Sequence, residues 1–262
     1  MHEPLPPMTW AQLRELWRAD LYRHTGETSW RHLFMHVLLS DGGERFSDGF
    51  KYMFHFRLCR YLKTRQPRVI FWFLYRIAMR ALTRYKYKFG CSIPHMASIG
   101  RGFYIGHIRD IVVNECAVIG DNCNISQGVT IGQANRGRRQ GTPVIGHNVY
   151  IGPGAKIIGA VRVGHHVAIG ANCVVTEDVP DHAVVVGVPG RVISFQGSAG
   201  YVNRTDYPGG EEMGHESGTS MDDGQEIRSA AEAERSSAVL IAGQSGVTRE
   251  GQGRAGTRHC VP

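Results

Sequence analysis

Four histidines of this chain fall at the same place in a recurring pattern, two residues after an aliphatic side chain. They are His95, His107, His147 and His165. Imidazole titrates close to neutral pH, so a histidine can take the proton from a hydroxyl group that is to act as a nucleophile. Position alone indicates a corner residue that faces solvent, so the surroundings of each histidine have to distinguish a catalytic residue from a solvated one.

Metal binding is a second chemistry that stacked histidines can support. His147 and His165 are 18 residues apart, and Asp121 and Arg101 occupy equivalent places, so the four side chains should form one column. A catalytic zinc site needs three protein ligands that converge on one point. We do not predict that arrangement here. We predict no metal and interpret the column as structural or solvent-facing.

The pattern that carries these residues has a period of six and runs from Ile93 to Val175. Its aliphatic residues are Ile93, Ile99, Ile105, Ile111, Ile119, Ile125, Ile131, Ile145, Ile151, Ile157, Val163, Ile169 and Val175. A period of six matches neither a helix nor an alternating strand. It is typical of a solenoid in which three hexapeptides close one triangular coil of about 18 residues. We therefore predict a mainly β fold whose coils stack at the strand spacing of ~4.8 Å.

Two insertions interrupt the period. Ile111 and Ile119 are separated by two extra residues, which predicts a bulge. Eight extra residues between Ile131 and Ile145 predict a loop over residues 133–143. Repeat proteins carry such insertions at corners, often on the side that binds a ligand.

Composition divides the chain into three parts. Residues 1–90 have helical patterns, residues 91–195 contain the repeat, and residues 196–262 are rich in Gly, Ser, Glu and Arg. The last part holds too few apolar residues to form a core, so we predict a disordered tail, at least from about residue 209. Four helices are predicted in the first part: one capped by Thr9, one over about 29–39, one over 50–63 and one from Pro67 to about Lys86.

The fourth predicted helix combines a basic stripe with apolar residues around most of its circumference. The stripe comprises Arg68, Trp72, Arg76, Arg80 and Arg84. One interpretation is a core helix at a subunit interface, with the arginine stems reaching outward. The other is a helix over residues 67–88 that lies on an anionic membrane surface. We favour the first because basic amphipathic helices are common in soluble oligomers.

The composition also limits the partners and the compartment. The chain has 262 residues and a net charge of +7, which an anionic cofactor or membrane surface explains before nucleic acid does, so no nucleic-acid partner is predicted. The six cysteines form no Cys-x-x-Cys pair, and Cys123 and Cys173 fall at inward positions, which favours a reducing compartment. No signal peptide and no apolar run of ~20 residues are evident. We predict a cytoplasmic protein, with peripheral contact at the inner membrane face as the alternative.

Several stretches give the repeat a family resemblance. They are Ile99-Gly-Arg-Gly-Phe-Tyr-Ile-Gly-His107, Asn124-Ile-Ser-Gln-Gly-Val-Thr-Ile-Gly132, Ile151-Gly-Pro-Gly-Ala-Lys-Ile-Ile-Gly159 and Gly187-Val-Pro-Gly-Arg191. Residues 90–195 resemble the left-handed parallel β-helix of the hexapeptide-repeat acyltransferases, in their serine acetyltransferase branch. The resemblance implies an O-acetyltransferase that uses acetyl-CoA and assembles as a homotrimer or a multiple of three.

The resemblance also implies roles for individual residues. His107 matches the catalytic base of the family, which takes the proton of the acceptor hydroxyl. Ala171, Thr176 and Arg191 match positions that hold acetyl-CoA, and Lys156 is a weaker match. On the acceptor side, the candidates are Asp110, Gln127 and Thr142.

Three departures from the family pattern concern the acceptor. Serine acetyltransferases carry carboxylates where this chain has Gly106 and Ser92, and a histidine where it has Thr142. A desolvated ammonium group needs a charged partner, although Asp110 could replace one carboxylate. We therefore expect a carbohydrate hydroxyl as acceptor, in the synthesis of an exopolysaccharide or surface polysaccharide, and expect L-serine to be a poor one. The alternatives are serine O-acetylation for cysteine synthesis and a solenoid that is an assembly scaffold without catalysis.

Overall fold

The computed structural model of the protein describes residues 7–29, 31, 33, 48–65 and 69–207. Three helices precede the repeat in these ranges: α1 (Trp10–Thr25), α2 (Asp48–Thr64) and α3 (Val69–Phe89). Thr9 accepts a hydrogen bond from the backbone N–H of Gln12, so the predicted cap of α1 is confirmed. The helix predicted over 29–39 and the tail predicted from residue 209 lie outside the described residues, apart from a few at the start of the former.

The repeat forms a left-handed parallel β-helix, as the sequence predicts. Its strands are β1 (Ser98–Ile99), β2 (Tyr104–Ile105), β3 (Val112–Val113), β4 (Val118–Ile119), β5 (Asn124–Ile125), β6 (Thr130–Gly132), β7 (Val144–Ile145), β8 (Tyr150–Ile151), β9 (Lys156–Ile158), β10 (Arg162–Val163), β11 (Ala168–Ile169), β12 (Val174–Val175), β13 (Val184–Val186) and β14 (Arg191–Ser194). They build three sheets, in the orders β1-β4-β7-β10, β14-β13-β11-β8-β5-β2 and β12-β9-β6-β3. Only the β13–β14 pair is antiparallel among the described strands.

The core of the solenoid consists of the predicted aliphatic residues. All thirteen are buried, and partners in register stack on one another, as Ile105, Ile125, Ile151 and Ile169 do along one sheet. Full burial of one such side chain contributes about 1.5–3 kcal/mol. The six-residue period therefore sets the register of the coils and contributes to their stability.

Glycines at the corners allow the coils to lie close together. A Cβ atom on Gly120 would lie 2.5 Å from the carbonyl oxygen of Gly146 on the next coil. Gly120 itself is not in the left-handed backbone conformation, which falls two residues later on Asn122, with φ of 57°, and at the equivalent corner on Asn148, with φ of 56°. Asparagine tolerates this conformation better than most residues.

A buried ion pair fixes the helices to the first coil. Arg57 of α2 donates from Nε to Asp20 Oδ2 of α1 at 3.0 Å, and both side chains are fully buried. Arg57 also donates to the carbonyl oxygen of Ile99 at 2.6 Å, and the N–H of Phe103 donates to Asp20 at 3.0 Å. Since an unpaired buried charge is costly, these contacts hold the helices in one position on the solenoid.

The structured part of the chain extends beyond residue 195, where the composition places the start of the tail. Tyr207 is buried and its hydroxyl donates to Asn122 Oδ1 at 2.6 Å, while the ring of Tyr201 stacks on Tyr150. The segment thus adds a covering layer to the β2 sheet. None of the described helices is long and apolar enough to cross a membrane.

Candidate active site

One corner of the solenoid carries His107 and three further residues on successive coils. The N–H of Gly128 donates to Arg109 O, that of Gly154 to Gln127 O, and that of Asn172 to Pro153 O, all at 2.8–2.9 Å. These bonds stack the corners that contain His107, Gln127, Pro153 and Ala171. At the spacing of neighbouring strands, Ala171 lies about 14 Å along the column from His107.

A cleft of about 500 Å³ opens at the His107 end of this column. Its walls come from the corner itself, the first turn of α2 and the last residue of α3. The lining residues are Asp48, Gly49, Phe89, Gly106, His107, Ile108, Arg109 and Gln127. The cleft therefore depends on how the helical part docks on the first coil, and not on the solenoid alone.

Gly49 allows α2 to begin directly against the strand that leads to His107. A Cβ atom on Gly49 would lie 2.5 Å from the carbonyl oxygen of Ile105 and 2.9 Å from its Cβ. On the other side of this contact, the N–H of Ile105 donates to His24 Nε2 of α1 at 3.2 Å. Glycine at this position thus allows Asp48 to lie beside the corner that carries His107.

His107 and Gln127 line the cleft, and each has side-chain hydrogen-bonding atoms without a partner among the described residues. The imidazole of His107 is exposed and forms no hydrogen bond with the residues that the structure describes. The Oε1 atom of Gln127 is buried and accepts no hydrogen bond in the described part of the chain. A buried acceptor without a partner is costly, so a ligand that donates a hydrogen bond there would be favoured.

Two charged residues of the cleft were missed by the sequence reasoning. Asp48 supplies the one carboxylate among the lining residues, and Arg109 supplies the one guanidinium. Burial is the main cause that raises the pKa of the Tyr85 hydroxyl, and the nearby Asp48 carboxylate is the second cause. The charge of Asp48 therefore also acts on a side chain of α3. Arg109 could have been noticed, since it lies two residues after His107. Nothing near Asp48 in the sequence marks it as a site residue.

The structure separates the other acceptor candidates from the cleft. Asp110 donates its N–H to Phe89 O at 3.0 Å, and its Oδ1 lies over Gly90, where a Cβ would approach it to 2.6 Å. Thr142 donates its hydroxyl to Cys116 O at 3.1 Å, at the corner of the solenoid before β4 and β7. Within one chain, only Gln127 of the three candidates lines the cleft with His107.

The acetyl-CoA candidates lie on the outside of the later coils. Ala171 belongs to the His107 corner column, whereas Thr176 lies at the next corner, after β12. Both are exposed, as is Arg191, whose Nη1 donates only to the neighbouring Gly190 O at 3.1 Å. Lys156 is engaged with its own chain, since its Nζ donates to Gly128 O and, at 3.1 Å, to Thr130 Oγ1.

The predicted column of His147, His165 and Asp121 is present. The two imidazoles stack at 5.0 Å with an interplanar angle of 5°. Nδ1 of His147 accepts from the N–H of Asp121 at 2.9 Å, and Nδ1 of His165 accepts from that of His147 at 3.1 Å. Each ring therefore caps a backbone donor on the preceding coil. The described residues contain no cluster of three His, Cys, Asp or Glu that could hold a metal ion.

Comparison with known proteins gives a consistent result. Residues 142–177 match the family described as bacterial transferase hexapeptide (six repeats). The serine acetyltransferase of Bacillus pumilus is 44% identical over 108 residues, which cover 41% of this chain and 50% of that protein. The chain thus spans about half the length of the curated relatives it matches.

Solved structures extend the similarity over more of the chain. The serine acetyltransferase of Brucella abortus is 30% identical with a TM-score of 0.54, covering 72% of this chain and 70% of that one. A serine acetyltransferase solved in complex with CoA is 29% identical with a TM-score of 0.54, covering 70% and 71%.

These relatives contradict the expectation of a carbohydrate acceptor, and they favour the alternative of serine. The expectation rested on the missing carboxylates at Gly106 and Ser92. The structure shows why that reasoning was insufficient, because Asp48 brings a carboxylate into the cleft from a different element, the first turn of α2.

Proposed function

Because this chain belongs to the hexapeptide-repeat left-handed β-helix acetyltransferases, in their serine acetyltransferase-like branch, we propose that it transfers the acetyl group of acetyl-CoA to the side-chain hydroxyl of L-serine. The observation that carries the proposal is the lining of the His107 cleft. A base, a carboxylate, a guanidinium and an unpaired amide oxygen meet there.

This set of groups matches the charges of a free amino acid. The ammonium group of L-serine needs acceptors when it leaves water, and Asp48 and Gln127 Oε1 are two acceptors in one cleft. The substrate carboxylate needs a cation, which Arg109 supplies. We assign Asp48 and Gln127 to the ammonium, Arg109 to the carboxylate and His107 to the hydroxyl.

The proposed reaction uses His107 as general base and then as general acid. His107 takes the hydroxyl proton while the serine oxygen attacks the carbonyl carbon of the thioester. The new carbon–oxygen bond forms, the carbon–sulfur bond breaks, and the imidazolium gives its proton to the departing sulfur. O-acetyl-L-serine and CoA leave, and neutral His107 is restored.

The column of stacked corners that contains His107, Gln127, Pro153 and Ala171 provides a path for acetyl-CoA. Exposed Ala171 carries no bulky side chain, and the column leads from it past Pro153 and Gln127 to His107. We assign Ala171 to the pantetheine arm and Thr176 to a contact further along. Exposed Arg191 is free of ion pairs with described residues and can neutralise a phosphate. Lys156 is assigned a supporting role at the corner of Gly128, since its Nζ already donates there.

Three small acceptors test the assignment of the charged groups. L-serine carries both charges, ethanolamine only the ammonium and 3-hydroxypropionate only the carboxylate. For Asp48→Asn we expect kcat/KM to fall about 10- to 150-fold with L-serine and ethanolamine, the range for a lost hydrogen bond to a charged group. The value for 3-hydroxypropionate should stay unchanged. For Arg109→Gln we expect kcat/KM to fall with L-serine and 3-hydroxypropionate and to stay unchanged with ethanolamine.

A comparison of two carboxylates sharpens this test. Asp110→Asn removes the same charge from the same end of the solenoid, at a side chain that lies over Gly90. A loss of serine transfer in Asp110→Asn together with full activity in Asp48→Asn would overturn the assignment of Asp48. Failure of the wild-type chain to acetylate L-serine would overturn the proposed function.

A second variant can restore the ammonium site. A Cβ atom on Gly106 would meet nothing closer than the Tyr104 ring at 3.5 Å, so a side chain can begin there without a Cβ clash. Gly106 lines the same cleft as Asp48. The double variant Asp48→Asn/Gly106→Asp should regain serine transfer if an ammonium partner is what Asp48→Asn lacks, and should remain impaired if Asp48 only stabilises α2.

A further inference from the structure

The outward face of α3 is apolar over its first half. Val69, Ile70, Trp72, Phe73, Leu74 and Ile77 are 81%, 64%, 53%, 57%, 43% and 50% exposed. The opposite face, with Ala78, Leu82 and Phe89, is buried in the core that the helices share with the solenoid. The exposed residues therefore form a continuous apolar surface that the described chain does not cover, and surfaces of this kind mark interaction sites.

The second half of the same face is basic. Arg76, Arg80 and Arg84 follow one another at intervals of four residues and are all exposed. They make no ion pair with any residue in the described ranges, and the helix contains no Asp or Glu. With a rise of ~1.5 Å per residue, the three guanidinium groups span about 12 Å of helix. Lys86 and Lys88 extend the positive charge toward the C-terminal end.

We propose that this face of α3 binds the surface of a membrane that contains anionic lipids. The apolar residues from Val69 to Ile77 insert among the acyl chains near the headgroups, and the three arginines contact lipid phosphates. A helix whose exposed residues are aromatic and aliphatic on one part, and whose charged residues are all cations, has the composition of an interfacial helix.

Charge decides between this partner and a second copy of the chain. Two copies joined in parallel through this face would bring two sets of arginines together without an acid from either helix, and like charges at an interface are costly. An antiparallel pair that overlaps over the apolar halves would leave the arginines without an anionic partner. Nucleic acid would match the arginines but would leave Phe73, Ile77 and their neighbours exposed to water. An anionic lipid surface satisfies both parts of the face.

Vesicle flotation with the full-length protein tests the charge requirement. We expect binding to phosphatidylcholine vesicles that contain phosphatidylglycerol, weak binding to phosphatidylcholine alone, and release by salt. Each cation near such a surface contributes about a five-fold factor, so Arg80→Gln/Arg84→Gln should weaken partition about 30-fold. The matched control is Arg14→Gln/Arg18→Gln, which removes two exposed cations from α1 and should leave partition within about two-fold.

Insertion of the apolar half is tested by the indole of Trp72. Brominated lipids should quench part of the tryptophan fluorescence in the wild type, and that part should disappear in Trp72→Phe. Phe73→Ser/Ile77→Ser should bind vesicles weakly while keeping the thermal midpoint of the wild type, because both side chains are exposed. Equal binding to neutral and anionic vesicles, or no binding together with a self-association that Phe73→Ser/Ile77→Ser abolishes, would overturn the proposal in favour of a simple apolar or protein contact.

Discussion

His107 is the residue on which the proposed chemistry depends, and its surroundings make it a favourable target for substitution. Its side chain is exposed and forms no hydrogen bond with the described residues, so the fold does not rely on it. We predict that His107→Asn lowers kcat by about 10²- to 10⁴-fold, the usual contribution of a general base. The thermal midpoint should stay within about one degree of the wild-type value. A variant with near wild-type turnover would exclude His107 as the base.

A second histidine couples stability to pH. Burial lowers the pKa of His24 to about 4, and the hydrogen bonds of the ring with Asp20 O at 2.7 Å and with the N–H of Ile105 at 3.2 Å oppose this shift only in part. Its neutral form is needed to accept from Ile105. The unfolded chain takes up this proton near pH 6.5, before the folded chain does, so stability should be full above pH 6.5 and should decrease from there toward pH 4.

Urea unfolding at several pH values checks the contribution of His24. Its contribution cannot exceed about 3 kcal/mol, the free energy of the difference between the two pKa values. His24→Gln keeps an acceptor but does not titrate, so the difference between its free energy of unfolding and that of the wild type should change between pH 7 and pH 4.5. If the free energies of unfolding of the two proteins changed with pH in parallel, the assignment of this pH dependence to His24 would be contradicted.

Sequence reasoning located His107 and Gln127 of the solenoid, and it missed Arg109 of the same corner and Asp48 of α2. The family resemblance singled out His107, and the hexapeptide register places Gln127 at the equivalent corner of the next coil, because residues at equivalent corners must stack. Asp48 could not be found this way, since its position depends on the approach of α2 to Ile105. That approach depends on the absence of a side chain at Gly49, which no periodic pattern encodes.

At the scale of elements, the start of α2 is what completes the cleft. A methyl group on Gly49 would collide with the backbone of Ile105, so Gly49→Ala should push the first turn of α2 away from β2. We expect a loss of stability of about 1–3 kcal/mol from the overpacking and a rise in KM for L-serine, because Asp48 moves with the turn. KM for acetyl-CoA should change little, since the corner column belongs to the solenoid.

Steady-state kinetics and thermal unfolding together check Gly49→Ala. Gly137→Ala is a suitable control: no atom lies within 4 Å of a Cβ built there, although its φ of 85° adds some local strain. An unchanged KM for L-serine in a destabilised Gly49→Ala protein would show that the position of α2 does not affect the acceptor.

The elements themselves were predicted to different degrees. The thirteen aliphatic positions predicted the coils of the solenoid, and the helical patterns predicted α1, α2 and α3. Composition groups residues 196–207 with the tail, because they share its content of Gly, Ser and Arg. Their order comes from a few specific contacts, such as the hydrogen bond from Tyr207 to Asn122 and the stacking of Tyr201 on Tyr150. Composition averages over such contacts and cannot reveal them.

For the whole molecule, we predict a trimer or a multiple of three. Val118 and Val144 pair in register on β4 and β7, and they are 41% and 44% exposed, so the outside of this sheet carries an aliphatic column that another solenoid could cover. Sedimentation equilibrium should give three chains or a multiple of three. Compared with the wild type, Val118→Asp/Val144→Asp should have a distribution of oligomeric states that is shifted toward the monomer. A catalytically competent wild-type monomer would contradict the prediction.

The central claim concerns the acceptor, and the product formed from L-serine tests it most directly. The full chain is incubated with acetyl-CoA and L-serine, and O-acetyl-L-serine and free CoA thiol are both quantified. We predict saturable formation of the two products in equal amounts, abolished in His107→Asn. Thioester cleavage without acetylated serine, or no serine-dependent turnover by a correctly folded wild-type protein, would contradict the account.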